Sequence, residues 1–255
     1  MHVLGIVGPS ARATATELAE LLSGRVAVVT AGEPVPSTDI STTTILGDRW
    51  QMTGDDAPTL DETLDRLARS HDYALVLGFP DAALPQFVLD GTTVSTPLFD
   101  DPVDDLDPQR VVDALHEFPE HESLESLVAA VKRSDDADRA GAVATFTGRV
   151  RRFDSPNDAA TTRLEFEMYD EVAHARMDDI RTDLEAREGV FDVRLHHRQG
   201  VVPEGEDIVF VVVLAGHRKE AFAAVSDGID RLKDEVPIFK REVTNEKTFW
   251  VETDG

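Results

Sequence analysis

Cysteine is absent from the sequence, lysine is scarce, and no apolar run is long enough to cross a bilayer. Without cysteine the chain forms no disulfide, no thiolate metal site and no cysteine nucleophile. A membrane-spanning helix needs about 20 apolar residues, which the sequence never provides. Residues 1–7 lack the basic region of a signal peptide and are typical of a first strand. We therefore expect a soluble, cytoplasmic protein with no membrane partner.

Basic residues are also in short supply. Asp and Glu total 50 against 25 Lys and Arg, which gives a formal net charge of −25. This balance argues against a nucleic-acid partner, because contact with a phosphate backbone requires a basic face. The apolar content is that of a globular protein rather than a disordered acidic tail. Acid spread along the chain, with arginine far in excess of lysine, is typical of proteins from halophilic archaea, where salt screens self-repulsion. An acidic mesophilic protein is the alternative.

The chain is predicted to contain two domains, residues 1–118 and 119–255. Acidic residues and prolines interrupt the apolar periodicity between residues 99 and 125, on both sides of a short helical patch. In the first domain, apolar strands at 2–7, 25–30 and 73–79 alternate with helical patterns at 13–22 and 60–67. Continuous apolar strands that alternate with helices indicate an α/β fold with a parallel sheet covered on both faces.

The turn after the first strand, residues 5–14 (GIVGPSARAT), occupies the place of a phosphate-binding loop. The Gly-Lys-Thr/Ser element of such a loop is missing, so nucleotide hydrolysis is not expected. This turn and residues 72–79 (DYALVLGF) resemble the P-loop domain of the molybdopterin-guanine dinucleotide biosynthesis adaptor family, with Leu77 in place of that family's glutamate. The resemblance covers about the first hundred residues. It implies a degenerate P-loop-like domain whose residual role in binding or docking is open.

The second domain has a different pattern. Strands are predicted at 142–151, 163–169, 191–195 and 207–215, the last apolar throughout and therefore central. One helix is expected to bury Val172 with Ile180 and Leu184, and a second, at 219–233, to bury Phe222 with three later apolar residues. Glu165 and Glu167 alternate with apolar residues and are expected to be solvated. This order of elements favours an α+β fold with a mostly antiparallel sheet.

Two of the five lysines, Lys233 and Lys240, flank Pro237. Proline cannot continue the preceding helix, so Lys233 is predicted in its last turn and Lys240 on the following strand. Unlike arginine, lysine can act as an acid, a base or a nucleophile. The alternative is a solvated helix end followed by a charged edge strand.

Seven motifs in one order resemble the large, catalytic subunit of molybdopterin synthase over residues 120–255. They are residues 141–151 (GAVATFTGRVR), 164–169 (LEFEMY), 197–200 (HRQG), 216–222 (GHRKEAF), 229–233 (IDRLK), 237–242 (PIFKRE) and 249–252 (FWVE). The resemblance implies an α+β domain of the α/β hammerhead type. It also implies a reaction, in which a small sulfur carrier with a C-terminal thiocarboxylate delivers two sulfurs to cyclic pyranopterin monophosphate and so forms the molybdopterin dithiolene.

The resemblance also implies a set of site residues and an assembly. Lys233 and Lys240 are the catalytic candidates, and the substrate-binding candidates are Arg149, Val150, Arg151, His217, Arg218, Lys233, Lys240, Arg241 and Glu242. The substrate is anionic, so a cationic site within an acidic protein is physically reasonable. In this family the His-Arg pair, here His217 and Arg218, comes from the neighbouring subunit of a homodimer, which forms a heterotetramer with the carrier.

Each candidate has a simpler alternative. Arg149 and Arg151 could be surface charges on an edge strand, and His217 could cap a helix. His196, His197 and His217 suggest zinc, but no acidic partner has ligand spacing, so neither a metal nor a cofactor is predicted.

The alternative function is a non-catalytic adaptor that docks proteins of the molybdenum-cofactor pathway, and it would be favoured if Lys233 or Lys240 pointed away from any pocket. A nucleotide-dependent kinase or GTPase is disfavoured by the missing loop lysine.

Overall fold

The computed structural model describes residues 1–31, 42–45, 51–54, 58–89, 92–94, 96–99, 107–155 and 158–251. The chain divides into two compact units, Met1–Glu122 and Ser123–Gly255. The sequence places this boundary near residue 119, and part of the predicted linker, residues 100–106, lies outside the described residues. Among the described helices, none is both long and apolar enough to cross a membrane.

The first unit contains a parallel sheet. Its strands are β1 (His2–Val7), β2 (Val26–Thr30), β3 (Thr42–Ile45), β4 (Gln51–Gly54), β5 (Tyr73–Leu77) and β6 (Gln86–Val88), and its helices are α1 (Ala11–Leu21), α2 (Leu60–Ala68) and α3 (Pro108–Leu115). The sheet order is β2-β5-β1-β6 with all neighbours parallel, while β3 and β4 form a separate antiparallel pair. The predicted parallel sheet is therefore confirmed.

Helices cover both faces of this sheet because its strands are apolar on both sides. Alternate residues of β1, such as Leu4 and Ile6, pack in a core with α1 and α3. Val3, on the opposite face of β1, packs instead in a second core with Leu64 of α2. The start of α2 is fixed by a capping box, in which the Thr59 side chain accepts from the backbone N–H of Glu62 and the Glu62 carboxylate accepts from that of Thr59.

The second unit contains two antiparallel sheets. Its helices are α4 (Leu124–Val131), α5 (Asp170–Glu185) and α6 (Arg218–Glu235), with a short 3-10 helix at Ala137–Arg139. Its strands are β7 (Ala142–Arg149), β8 (Thr161–Met168), β9 (Val190–His197), β10 (Gly200–Pro203), β11 (Asp207–Ala215), β12 (Ile238–Thr244) and β13 (Thr248–Val251). One sheet has the order β7-β11-β9 and the other β10-β8-β12-β13. The α+β prediction is confirmed, with two sheets among the described residues instead of one.

Strand β11 is central, as predicted, and both of its faces are buried. Val209, Val211 and Val213 face α5 and α6, while Phe210 and Val212 face α4. Helix α6 lies close to the sheet because Gly228 carries no side chain. A Cβ there would lie 3.2 Å from Val211 Cγ1 and 3.3 Å from Leu184 Cδ1.

Two residues predicted to be buried on helices are exposed. Val172 is 50% exposed and Phe222 is 66% exposed. Helix α5 buries Ala173 instead, and α6 buries Ala221, each one residue away and therefore about 100° around its helix. The small alanines allow close packing on the sheet, so the prediction that Val172 and Phe222 are buried was wrong.

The connection between α6 and β12 agrees with the prediction made from Pro237. Val236 is extended, with φ −91° and ψ 122°, and ends the helix. Lys233 lies in the last helical turn and Lys240 on the strand that follows. The proline therefore sets the chain direction that brings these two lysines near one another.

Candidate active site

A cavity of about 500 Å³ lies where the two sheets of the second unit meet the C-terminal end of α6. Its apolar lining includes Leu164 and Phe166 of β8 and Val209 of β11. Gly148 of β7 also lines it, and a Cβ there would lie 2.6 Å from Val209 Cγ1. Only glycine therefore permits this approach of β7 to β11 at the cavity wall. The volume falls in the range of small-molecule sites, about 300–1,000 Å³.

Lys233 and Lys240 both line this cavity. Lys240 is half-buried and lies directly opposite Phe166 in the antiparallel register, so the two side chains share one face of the sheet. Lys233 reaches the same space from the end of α6. Within the described part of the chain, neither ammonium group has a carboxylate or hydrogen-bond partner.

Arg149 and Arg151 line the cavity as well. The Arg149 guanidinium donates to the Gly205 carbonyl at 2.6 Å, and Arg151 pairs with Asp154 at 2.8 Å. The strand predicted to run through Arg151 ends at Arg149, so the two arginines do not alternate along one regular strand. Both remain exposed. Arg149 has no ion pair among the described residues, whereas an anion would share Arg151 with Asp154.

Val150, between the two arginines, does not line the cavity. Its side chain is 2% exposed and packs with Leu164, Phe166 and Val202. Its backbone N–H donates to the Glu206 carbonyl at 2.9 Å. The structure thus places Val150 as an anchor for the two arginines beside it.

Glu242 and Arg241 lie on opposite faces of β12. Glu242 lines the cavity and accepts a hydrogen bond from Thr161. Arg241 instead donates through Nε to Glu165 at 2.7 Å. Hydrogen bonds from Arg241, and then from Arg163, hold the pKa of Glu165 below its usual value. Glu165 was expected to be solvated, but its side chain is only 15% exposed and is paired, so that expectation was wrong.

His217 and Arg218 lie at the other end of α6. His217 occupies the N-cap position, but its side chain makes no capping hydrogen bond, so the alternative that it caps the helix is not observed. Fifteen residues separate Arg218 from Lys233, which corresponds to about 22 Å along the helix axis. Within one chain, this pair does not belong to the cavity that holds the lysines.

His197 was not among the residues predicted for the site. It lines the cavity, is 8% exposed, and its Nδ1 lies 2.8 Å from the Arg198 carbonyl. Burial lowers the pKa of His197 to about 4, and the hydrogen bond to Arg198 acts in the opposite sense. Its place in the 197–200 motif was the available signal. No group of three or more His, Asp or Glu among the described residues could hold a metal ion.

Comparison with known proteins identifies the family of this chain. The profile of the family described as "MoaE protein" matches residues 119–235. A Haloferax volcanii protein named "Probable molybdopterin synthase" is 48% identical over 98% of this chain and 99% of its own length. A "Molybdopterin synthase catalytic subunit" of Pyrococcus abyssi is 38% identical over 53% of this chain and 88% of its own length. The solved Burkholderia ambifaria MoaE protein is 30% identical over 53% of this chain and 86% of its own, with a TM-score of 0.44.

The chain therefore belongs to the MoaE family of molybdopterin synthase catalytic subunits, enzymes of molybdenum cofactor biosynthesis. The Haloferax protein matches along both units, whereas the family profile begins at residue 119. The first unit is thus an addition shared with the Haloferax protein and not covered by the family profile.

Proposed function

We propose that the cavity lined by Lys233 and Lys240 is where this chain transfers sulfur from a thiocarboxylated small carrier protein to cyclic pyranopterin monophosphate. Two transfers produce the molybdopterin dithiolene. The observation that carries the proposal is the convergence of two of the five lysines, from different elements, on one cavity. In a chain with a net charge of −25, the surface pattern alone does not account for two ammonium groups that have no carboxylate partner among the described residues.

The charges of the cavity suit both reactants. A cyclic phosphate and a thiocarboxylate are anions, and the cavity offers Arg149, Arg151, Lys233 and Lys240. The guanidinium groups can bind phosphate oxygens through paired hydrogen bonds. The Arg149 side chain is held by the Gly205 carbonyl, so part of its orientation is set before substrate arrives.

The lysines supply proton transfer at the reacting carbon. The thiocarboxylate sulfur attacks a substrate carbon and forms a C–S bond, and an oxygen substituent leaves with the electron pair of its bond. A lysine ammonium donates the proton that this oxygen takes up. Water then cleaves the resulting thioester, which releases the carrier as a carboxylate and leaves the sulfur on the pterin.

A homodimer would complete the site. His217 and Arg218 lie about 22 Å along α6 from the lysine end, so they can contribute only to the cavity of a second copy. Both side chains are exposed and, in the part of the chain that the structure describes, have no ion-pair or hydrogen-bond partner. We infer a symmetric dimer with two composite sites, assembled with two carrier molecules.

The first unit is proposed as a degenerate P-loop-like domain that tethers or docks a partner of the same pathway. Its parallel sheet with β5 and β6 on opposite sides of β1 supports this, since the β1–α1 turn then lies at a topological switch point. The lysine that would bind nucleotide phosphates there is missing, and Arg12 does not replace its compact ammonium group. The non-catalytic adaptor as the function of the whole chain is not favoured, because both lysines line the cavity.

The test is reconstitution. Purified chain is incubated with thiocarboxylated carrier and cyclic pyranopterin monophosphate, and molybdopterin is measured. Carrier with an ordinary C-terminal carboxylate is the matched control, since it docks but carries no sulfur. Formation of molybdopterin only with the thiocarboxylate supports the proposal, and no product from the folded chain would reject it.

A further inference from the structure

His197 lies in a row of residues that crosses the three-stranded sheet at the cavity. Val209 of β11 pairs with Gly148 of β7 on one side and with His197 of β9 on the other. Directly opposed residues of an antiparallel sheet share a face, and all three line the cavity. The His197 ring also packs edge-to-face on Phe166, with centroids 4.8 Å apart, and Phe166 is the residue opposite Lys240.

The hydrogen bond between His197 and the Arg198 carbonyl fixes which ring nitrogen carries the proton. The Arg198 carbonyl can only accept, so Nδ1 donates to it and, in the neutral ring, Nε2 keeps a lone pair. A nearly buried ring with a lowered pKa is neutral at pH 7. Among the described residues, Nε2 has no hydrogen-bond partner.

An acceptor of this kind complements the rest of the cavity. The four cations that line it can only donate hydrogen bonds. Of its two carboxylates, Asp154 is paired with Arg151, and Glu242 accepts one hydrogen bond, from Thr161. His197 Nε2 is therefore an uncharged acceptor beside an apolar wall, at a position where a flat ring can pack against Val209 and Phe166.

We propose that His197 Nε2 accepts a hydrogen bond from an N–H donor on the pterin ring and thereby sets the orientation of the substrate. This role rests on the proposed function and extends it, because it assigns the ring end of the substrate to the β9–β11 wall and the phosphate end to the arginines. A pterin carries ring N–H and amino donors along one edge, so the chemistry matches. His197 acts in recognition and takes no part in the proton transfers assigned to the lysines.

Two substitutions separate this role from a structural one. His197→Asn keeps a donor for the Arg198 carbonyl but loses the acceptor at Nε2. His197→Gln places an acceptor near Nε2 but loses the donor to Arg198. If His197 binds the pterin, the Asn variant should have the larger increase in KM for the pterin. If its role is purely structural, the Gln variant should.

The experiment measures KM and kcat for the pterin with the full chain and thiocarboxylated carrier. We expect His197→Asn to raise KM about tenfold with kcat nearly unchanged, as for a contact made equally in the ground and transition states. His197→Gln should lie closer to wild type. An unchanged KM in the Asn variant, or the reverse order of the two variants, overturns the assignment.

A direct binding measurement separates failure of this inference from failure of the proposed function. Calorimetry of the pterin with the chain alone should show the same tenfold weakening in the Asn variant. If wild type binds pterin but makes no molybdopterin, the proposed function fails while the His197 role is still decided by the binding constants. Circular dichroism checks each fold. If the Asn variant does not fold, the Gln variant decides: pterin affinity within a few-fold of wild type supports the role of Nε2, and a tenfold loss overturns it.

Discussion

Replacement of Lys240 by alanine tests the assignment of the two lysines most directly. Lys240 is half-buried on β12 and, among the described residues, has no carboxylate partner. Its removal breaks no ion pair there, so the free energy of unfolding should change by less than about 1 kcal/mol. Loss of general acid catalysis, in contrast, should lower kcat by about a hundredfold or more. A hundredfold loss corresponds to about 2.7 kcal/mol in the activation barrier.

The assay is single-turnover formation of molybdopterin from thiocarboxylated carrier and cyclic pyranopterin monophosphate. Lys132→Ala is the matched control, because Lys132 is exposed at the end of α4 and does not line the cavity. Lys240→Arg distinguishes charge from proton transfer. It should restore pterin binding but not kcat, since arginine does not deprotonate. A folded Lys240→Ala protein with near-full activity would end the assignment.

Three further predictions concern assembly, the first unit and pH. Mixing Arg151→Ala with His217→Ala chains should restore part of the activity that each lacks alone, and no rescue in a verified mixed dimer would place each site within one chain. Residues 119–255, checked for folding, should form molybdopterin at a rate similar to that of the whole chain, and a large loss would show that the first unit takes part. The free energy of unfolding should fall between pH 6.5 and pH 4 by about 3 kcal/mol more in wild type than in His197→Asn, measured by denaturant titration.

The sign of the pH effect follows from the lowered pKa of His197. In the unfolded chain the ring titrates near its ordinary value of 6.5, and in the folded chain near 4. Between these values the unfolded state binds a proton that the folded state does not, so stability falls as the pH falls. At pH values well below 4 both states are protonated, and this contribution changes no further. Equal pH profiles for wild type and variant would contradict the burial of a neutral ring.

Features set by short-range sequence could be predicted. Pro237 determines where α6 ends, and hence that Lys233 and Lys240 lie on either side of a turn. Apolar residues without interruption over 207–215 indicated the central strand, because only a strand buried on both faces has that pattern. These inferences depend on neighbouring residues alone, so they did not require knowledge of the tertiary structure.

Features set by strand register could not be predicted. Glu165 and Arg241 are 76 residues apart, and their ion pair exists because β8 and β12 align them directly. The sequence indicates alternation on each strand but not which residue lies opposite. The same holds for His197, whose neighbours in the cavity come from β7, β8 and β11. The prediction that Val172 and Phe222 are buried was wrong for another reason. A helix that packs closely on a sheet buries its small residues, here Ala173 and Ala221.

The acidity of the chain and the cations of the cavity would act at different distances on the anionic substrate that we propose. A net charge of −25 repels a phosphate or thiocarboxylate while it is still far from the protein. Arg149, Arg151 and the lysines attract it only within the cavity. Salt screens charges beyond the Debye length, about 3 Å at 1 M, so it removes the long-range repulsion and weakens contacts at hydrogen-bond distance much less. If this cavity binds the substrate as proposed, high ionic strength favours its entry, and selectivity comes from the directed hydrogen bonds inside.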